Sequence, residues 1–373
     1  MKILFLSAAN SIHTVKWVNA LADRGHEVHL VYNRGHEPKL DQIRANIHQH
    51  SLRHSGGIGY YLNAGELKKL TKQILPDVIN VHYASGYGTL ARQSKVNKIS
   101  PILLSVWGSD VYDFPNKNAV NKMILKRNVM CANKIASTST CMAEELKRVL
   151  KMPELKIGIT PFGVELEKFK KCSDIKMEDI DRILLGTIKT LKPLYGISEF
   201  IKSIKVLIDT LERENNQEIS NRLQVEIYGD GPQKEELLEL VRNLALEKVV
   251  FLKGKIPNKE VPSVLEKFDV FCATSFKESF GVAVVEAMAM SVPVVVTDAE
   301  GFKEVVVDGE DGYIVPKGNV EAIALKLNEL ILNKEKRKHM GKMGRKRVEK
   351  LYDWEKNVDT MEKLYEEVRV KKG

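Results

Sequence analysis

Glu278-Ser-Phe-Gly-Val-Ala-Val-Val-Glu286 sets two carboxylates eight positions apart, on either side of an apolar run that continues into Ala287-Met288-Ala289. Upstream, Phe268-Asp-Val-Phe-Cys272 has the composition of a buried strand, and Thr274-Ser275 opens a loop. The pattern predicts strand, loop, a turn at Phe280-Gly281, then helix. Glu278 lies on the loop and Glu286 about two turns into the helix. At 1.5 Å rise per residue the two are separated by roughly 10 Å or a little more. An acid/base pair acting on one bond sits closer. The spacing instead suits the two ends of one elongated polar ligand. The amides of Phe280, Gly281 and Val282 open the helix, where unpaired N–H groups and the helix dipole favour phosphate.

Outward from this stretch the chain alternates strand-like and helical segments. In the first part, Lys2–Leu6, Glu27–Tyr32, Val78–His82, Ile102–Val106 and Lys134–Ser137 read as strands, and the helix from Ser11 has Ile12, Val15, Val18, Leu21 and Ala22 as its apolar face. Periodicity lapses around Pro161–Asp181 and restarts with a strand at Arg182–Leu185, a helix at Ile197–Thr210 and a strand at Gln224–Tyr228. Such alternation implies parallel sheets covered by helices, with ligand crevices at the carboxyl ends of the strands. A length of 373 residues makes two domains the prior. The expected division is 1–165, a linker at 166–181, 182–350, and a closing helix at 351–373 whose apolar face is Met361, Leu364, Tyr365 and Val368.

The charge is unevenly placed. Residues 1–160 hold 22 Lys+Arg against 11 Asp+Glu, a net of +11, and the remainder holds 36 against 38, a net of −2. A basic first half suits an anionic partner: a phosphate-bearing acceptor, an acidic membrane surface or nucleic acid. A generally lysine-rich composition competes with each of these. No recognised nucleic-acid module or interleaved aromatic pattern supports the last. No apolar stretch is long enough to span a bilayer, and Met1-Lys2-Ile-Leu-Phe-Leu is a short strand rather than a leader. Cys131, Cys141, Cys172 and Cys272 lack metal-ligand spacing and are expected to be reduced thiols, which points to the cytoplasm.

Four further motifs carry chemistry with a plainer account beside each. Gly229-Asp-Gly231-Pro follows a strand, so Gly229 and Gly231 admit either a ligand or a tight turn; Lys234 stands where a dinucleotide fingerprint needs its third glycine. The loop from Gly186 and Thr187 to Gly196 carries Lys189 and Lys192, suited to a diphosphate or merely solvated. His82 ends a strand and faces the predicted crevice, or is a core histidine bonded to backbone. Asp110 and Asp113 follow another strand and serve either the site or a helix cap. Asp179-Ile-Asp181 precedes a strand, the wrong end for a metal-binding pair. His48, His50 and His54 read as a solvated loop rather than a metal site.

Together, Gly186 to Gly196, Tyr228-Gly-Asp-Gly-Pro232, Phe251-Leu-Lys-Gly254 and Ser275 through Pro316 resemble glycosyltransferase family 4, retaining transferases of the two-domain GT-B fold. The first half matches more loosely, through His26-Glu-Val, His82 to Gly88 and Trp107-Gly-Ser-Asp110. The resemblance implies an α/β fold of two facing Rossmann-like domains with a cleft between them and a final helix crossing back to the first. It implies that Glu286 holds the ribose and Glu278 faces the transferred sugar, with Ser279, Phe280, Gly281 and Val282 beside sugar and phosphate. Three departures stand out. Thr187 replaces the usual loop arginine, leaving the charge to Lys189 or Lys192, and Tyr195 replaces the usual lysine. Trp107 replaces a crevice histidine, which makes Asp110 the better polar candidate. Ser7-Ala-Ala-Asn-Ser-Ile-His13 replaces a Gly-Gly loop, leaving phosphate or acceptor to Asn10 or His13, beside an N-cap role for Asn10 or Ser11.

The sequence is thus expected to encode a retaining glycosyltransferase. Its expected donor is a uridine diphosphate-sugar and its acceptor a hydroxyl, on a saccharide or lipid-linked saccharide of cell-surface glycoconjugate synthesis. The expected catalytic set is Glu278, Lys189, Lys192, His82 and Asp110. No motif requires a metal or cofactor. The basic first domain is expected to take the acceptor and to dock on the inner face of an anionic membrane. A sugar-nucleotide epimerase or hydrolase is the alternative within the fold, and a basic nucleic-acid-binding protein the alternative from another class.

Overall fold

The computed structural model describes residues 1–38, 42–171 and 182–370. The described chain divides into two compact units, Met1–Pro161 with Glu355–Gly373, and Phe162–Trp354. Cys172, Asp179 and Asp181 lie outside the described residues.

The first unit is built on seven parallel strands: β1 (Lys2–Leu6), β2 (Glu27–Arg34), β3 (His48–Ser55), β4 (Val78–His82), β5 (Ile102–Val106), β6 (Lys134–Ser137) and β7 (Ile157–Ile159), in the order β3-β2-β1-β4-β5-β6-β7. Strands β1, β4 and β5 are buried almost throughout, as near-continuous apolar runs must be when helices cover both faces. The segment expected as a histidine-bearing loop is edge strand β3, aligned with β2 from His29↔His48 onward. Its alternating pattern was masked by polar side chains on the exposed face. The closing helix Trp354–Val370 packs on this unit from Glu355 on. Arg24 pairs with Glu355, Asp359 and Glu362, and Leu364 fills the space that the bare Cα of Gly158 leaves.

The second unit has six parallel strands: β8 (Ile183–Ile188), β9 (Leu223–Tyr228), β10 (Val250–Gly254), β11 (Val270–Ala273), β12 (Val294–Thr297) and β13 (Gly312–Val315), in the order β10-β9-β8-β11-β12-β13. The helix Ile197–Arg213 lays Phe200, Ile201, Ile204, Leu207 and Leu211 into its core. Phe162 and Val164, expected at the end of the first domain, and Phe169, in the expected linker, are buried in this unit. Val164 bridges to Asp353.

Both sheets reverse their winding direction once. In the first, the chain runs outward from β1 through β2 to β3, then returns to lay β4 on the other side of β1. In the second it does the same from β8, with β11 as the returning strand. The carboxyl ends of β1/β4 and of β8/β11 are therefore the two topological switch points, where open parallel sheets bind ligands.

Candidate active site

At the β8/β11 switch point, Lys189 is the first residue after β8 and Glu278 lies on the loop after β11. Lys189 Nζ is 2.5 Å from Glu278 Oε2, and both side chains are largely buried, with 24% and 13% of their surfaces exposed. The Lys189 ammonium also sits 4.3 Å from the centroid of the Tyr195 ring, so a cation–π contact holds the charge from a second side. Lys192 points into solvent from the same loop. The geometry chooses between the two lysines that the sequence left equal: Lys189 is the cation of this site.

That choice follows from where β8 ends. The strand runs to Ile188, so Gly186 and Thr187 are not loop residues. A Cβ on Gly186 would lie 2.1 Å from the Phe268 ring, which means this glycine admits an aromatic side chain, not a phosphate. Thr187 is buried and paired with Ile227 in β9. Both are sheet residues, and Lys189 is the first residue beyond the strand.

Gly229 and Gly231 are close-packed in the same way. Gly229 has φ +148°, and its missing Cβ would fall 1.8 Å from the carbonyl oxygen of Lys189; that of Gly231 would fall 2.3 Å from the oxygen of Leu191. Their amides already donate, to Gly254 O at 2.9 Å and to Asp230 Oδ1 at 2.9 Å. Lys189 N donates to Tyr228 O and Leu191 N to Asp230 O. The Gly-Asp-Gly turn thus grips the Lys189–Leu191 backbone and aims Lys189.

The Glu278 loop is held just as closely. Gly301 N donates to Glu278 O at 3.0 Å, and a Cβ on Gly301 would lie 2.5 Å from the amide nitrogen of Phe280. Phe280 is buried, edge-on to Phe162 and Tyr352. Gly281 has φ +106° and precedes the helix Val282–Ala289, a conformation that glycine adopts without strain. Ser279, Val282 and Glu286 are half-buried, with Glu286 in the second turn of that helix. On the facing side, Thr274 Oγ1 donates to Gly196 O at 2.7 Å and Phe276 N to Leu194 O at 2.9 Å, which fixes the turn that presents Tyr195. A cavity of about 10 Å³ beneath Lys189 and Tyr195, bordered by Thr187, Ser275 and Gly281, holds a water at most. Sequence reasoning did not reach the supporting roles of Tyr195 and Gly301. The position of Tyr195, three residues after Lys192 and six after Lys189, was the available signal for the first; the second depends on a contact between loops far apart in the chain.

At the β1/β4 switch point the chemistry is different. His82, Trp107, His13 and Tyr83 cluster there, with ring centroids 4.2 Å apart for His82–Trp107, 5.5 Å for His13–Trp107 and 5.1 Å for Tyr83–Trp107. His82 is fully buried, packed edge-on to Phe5 at 4.4 Å, with no hydrogen-bond partner on either ring nitrogen. Burial holds it neutral, well below the usual imidazole range, and the nearby His13 adds to this. It lies in the wall at the carboxyl end of β4, the place where the sequence expected either a crevice-facing group or a core histidine. Burial, with Lys16 second, also lowers His13 to about 4. Asp110 is buried too, which raises its carboxyl, while it accepts from the amides of Ala84 (2.8 Å), Trp107 (3.1 Å) and Gly108 (2.9 Å). Its oxygens tie the β4 and β5 loops together and position Trp107. Asn10 is exposed on the β1 loop, its backbone N–H donating to His36 O, and Ser11 takes the N-cap position without a side-chain capping bond.

Comparison with known proteins agrees with this architecture. Residues 2–139 match the family described as glycosyl transferase 4-like, and residues 172–347 match glycosyl transferases group 1. The N-acetyl-alpha-D-glucosaminyl L-malate synthase of Bacillus anthracis is 26% identical over 357 residues, 93% of this chain and 91% of that protein. Among solved structures, sucrose-phosphate synthase from Thermosynechococcus elongatus superposes with a TM-score of 0.81 at 18% identity, covering 98% of both chains. Anabaena HepE, solved with UDP and glucose, superposes at 0.73 and 15% identity over 98% of this chain and all of that one. At these identities the two structures speak to the fold, which is GT-B.

Proposed function

Because this chain belongs to the group 1 glycosyltransferases, we propose that it transfers a sugar, with retention, from a UDP-sugar to a hydroxyl of a saccharide or lipid-linked saccharide acceptor. The Lys189–Glu278 pair at the β8/β11 switch point carries the proposal. In this structure these opposite charges match each other. A nucleotide-sugar divides them: the diphosphate takes the ammonium of Lys189, and Glu278 is released to accept from the sugar hydroxyls. Negative charge grows on the leaving phosphate as the glycosidic bond breaks, and a preoriented ammonium stabilises that charge more in the transition state than in the ground state. The helix amides from Phe280 add to this field. Glu286, in the second turn, would hold the ribose hydroxyls.

Retention without a covalent intermediate fits the same pair. A carboxylate neutralised by a lysine at 2.5 Å is a poor nucleophile. The acceptor then attacks from the face the phosphate leaves, and a phosphate oxygen removes its proton. No metal is needed in this scheme, since Lys189 and the helix amides supply the positive field. UDP is favoured by the likeness to HepE, whose structure holds it.

We place the acceptor at the β1/β4 switch point, where the half-buried Tyr83 packs on the buried Trp107. The excess lysines of the first unit lie elsewhere. Arg53, Lys68, Lys69 and Lys72 are exposed near the helix Gly56–Leu62, which displays Ile58, Tyr61 and Leu62 at 65%, 49% and 54% exposure. Apolar side chains ringed by cations suit an anionic lipid surface. No helix among the described residues is long and apolar enough to cross a membrane.

The test is a panel of UDP-, GDP- and ADP-sugars screened by thermal shift, then turnover with and without acceptor. Stabilisation by a UDP-sugar and acceptor-dependent UDP release support the reading. Equal release without acceptor favours the hydrolase or epimerase alternative. Equal sedimentation with neutral and anionic vesicles removes the electrostatic dock.

A further inference from the structure

The histidine-rich segment expected to be a solvated loop forms a cluster on the edge of the first sheet. Strand β3 aligns His48 with His29 of β2, and His50 with Val31. The His29 ring stacks on His48 at 4.6 Å and on His50 at 5.3 Å. His29 Nε2 lies 3.0 Å from Glu27 Oε1, and its Nδ1 lies 3.1 Å from His50 Nε2. One donor atom from each of Glu27, His29 and His48 falls within 4.8 Å of the others. His29 is buried, and Glu27 and His48 are exposed.

We propose that Glu27, His29 and His48 form a binding site for a divalent transition-metal ion of the zinc class, with His50 orienting His29. Two neutral imidazoles and a carboxylate are a zinc donor set, with bonds of about 2.0–2.2 Å and water in the fourth position. Tetrahedral donors at such bond lengths stand roughly 3.3 Å apart. The exposed side chains of Glu27 and His48 can swing inward to close the remaining gap, tilting His48 out of its stack. When His29 donates from Nδ1 to His50, its Nε2 lone pair points at the Glu27 oxygen. In the other tautomer Nε2–H donates to Glu27 and Nδ1 accepts from His50, and a metal ion would take the place of that Nε2 proton. An outer partner that fixes the ring and tautomer of a ligating histidine is a common feature of metal sites.

The competing cation is Lys2, whose Nζ is 3.3 Å from Glu27 Oε1. Both side chains are partly exposed, so the ammonium can leave without desolvation cost. His26 does not enter the cluster, being paired with Glu362. A bound ion would tie edge strand β3 to its neighbour β2. It would act on the stability of the first unit, while the transfer chemistry argued above rests on residues of the second.

Untagged, metal-free full-length protein titrated with Co²⁺, then Zn²⁺, tests the proposal. One Co²⁺ per chain should bind, with the visible absorption of a four-coordinate nitrogen/oxygen site, and Zn²⁺ should displace it and raise the melting temperature. His48→Ala, a change at an exposed side chain, should abolish that binding while the protein stays folded. His50→Gln should weaken it by about 10–100-fold, and His54→Ala should leave it intact. Undiminished Co²⁺ binding in His48→Ala, or no stoichiometric binding by the wild type, overturns the proposal.

Discussion

The two switch points have one topology and opposite chemistry. The β8/β11 point carries a matched lysine and glutamate against a tyrosine ring. The β1/β4 point carries imidazoles kept neutral by burial, a tryptophan, a tyrosine and a carboxylate turned inward onto three amides. The first sheet belongs to the more basic part of the chain, yet its crevice is lined by imidazoles and aromatic rings. Backbone topology decides where a ligand can lie; the first few residues after each strand decide which ligand. A diphosphate suits charges that can be exchanged, and the C–H face of a sugar ring suits aromatic side chains.

The sharpest way to break this contrast is to remove the charge. Lys189→Ala should lower transfer by about 10²–10³-fold, the scale of a lost transition-state donor, measured as acceptor-dependent UDP release. Glu278→Gln should cause a comparable fall, whereas Lys192→Ala should stay within about threefold because Lys192 points into solvent. Equal losses at both lysines would dissolve the distinction drawn between them.

A second test strikes the support instead of the charge. Gly229→Ala puts a Cβ where the Lys189 carbonyl lies, at a φ that alanine resists. It should destabilise the protein by about 3 kcal/mol and reduce transfer, as chemical denaturation and turnover would show. Wild-type stability would mean that the two loops are not locked together.

The first unit should answer to pH. His13 has its folded pKa lowered to about 4 from 6.5, and His82 is lowered in the same direction. The folded state therefore binds fewer protons than the unfolded chain between those values. Stability is full above about 6.5 and falls as pH drops toward 4. The loss from His13 should reach about 2 kcal/mol near pH 4.5, after allowance for partial solvent screening. His13→Asn should flatten that slope in thermal melts. An unchanged slope would place the titration elsewhere.

The smallest expected effect concerns Asp110. With three amide donors on a buried carboxylate, Asp110→Asn should lower stability by about 1–3 kcal/mol and leave donor affinity unchanged, separating its positioning role from catalysis. A fall in donor affinity would return it to the transfer machinery.

Much of the fold was legible because parallel sheets announce themselves as buried apolar runs. Val78–His82, Ile102–Val106 and Lys134–Ser137 have the bounds expected of them. Strand β3 was not legible, since His48-Gln-His-Ser-Leu-Arg-His-Ser55 sits at an edge with one polar face. For the site, the sequence singled out Lys189 and Glu278 but attached glycines to the ligand that in fact serve the packing of loops and a ring. A glycine in a list of residues looks the same in either role; only the atom 2 Å from its absent Cβ tells them apart.

By itself, then, the sequence determined the class of fold, the family and the loop residues from which the site is drawn. These depend on local pattern and on motif spacing, which the chain displays in one dimension. The tertiary structure decided which lysine faces Glu278, that Asp110 and His82 turn inward, and that four histidine-region side chains meet at a sheet edge. Each of those is a meeting of residues between 2 and 89 positions apart. Such meetings are set by strand order and register, and a side chain's partner, more than its identity, fixes its charge and its work.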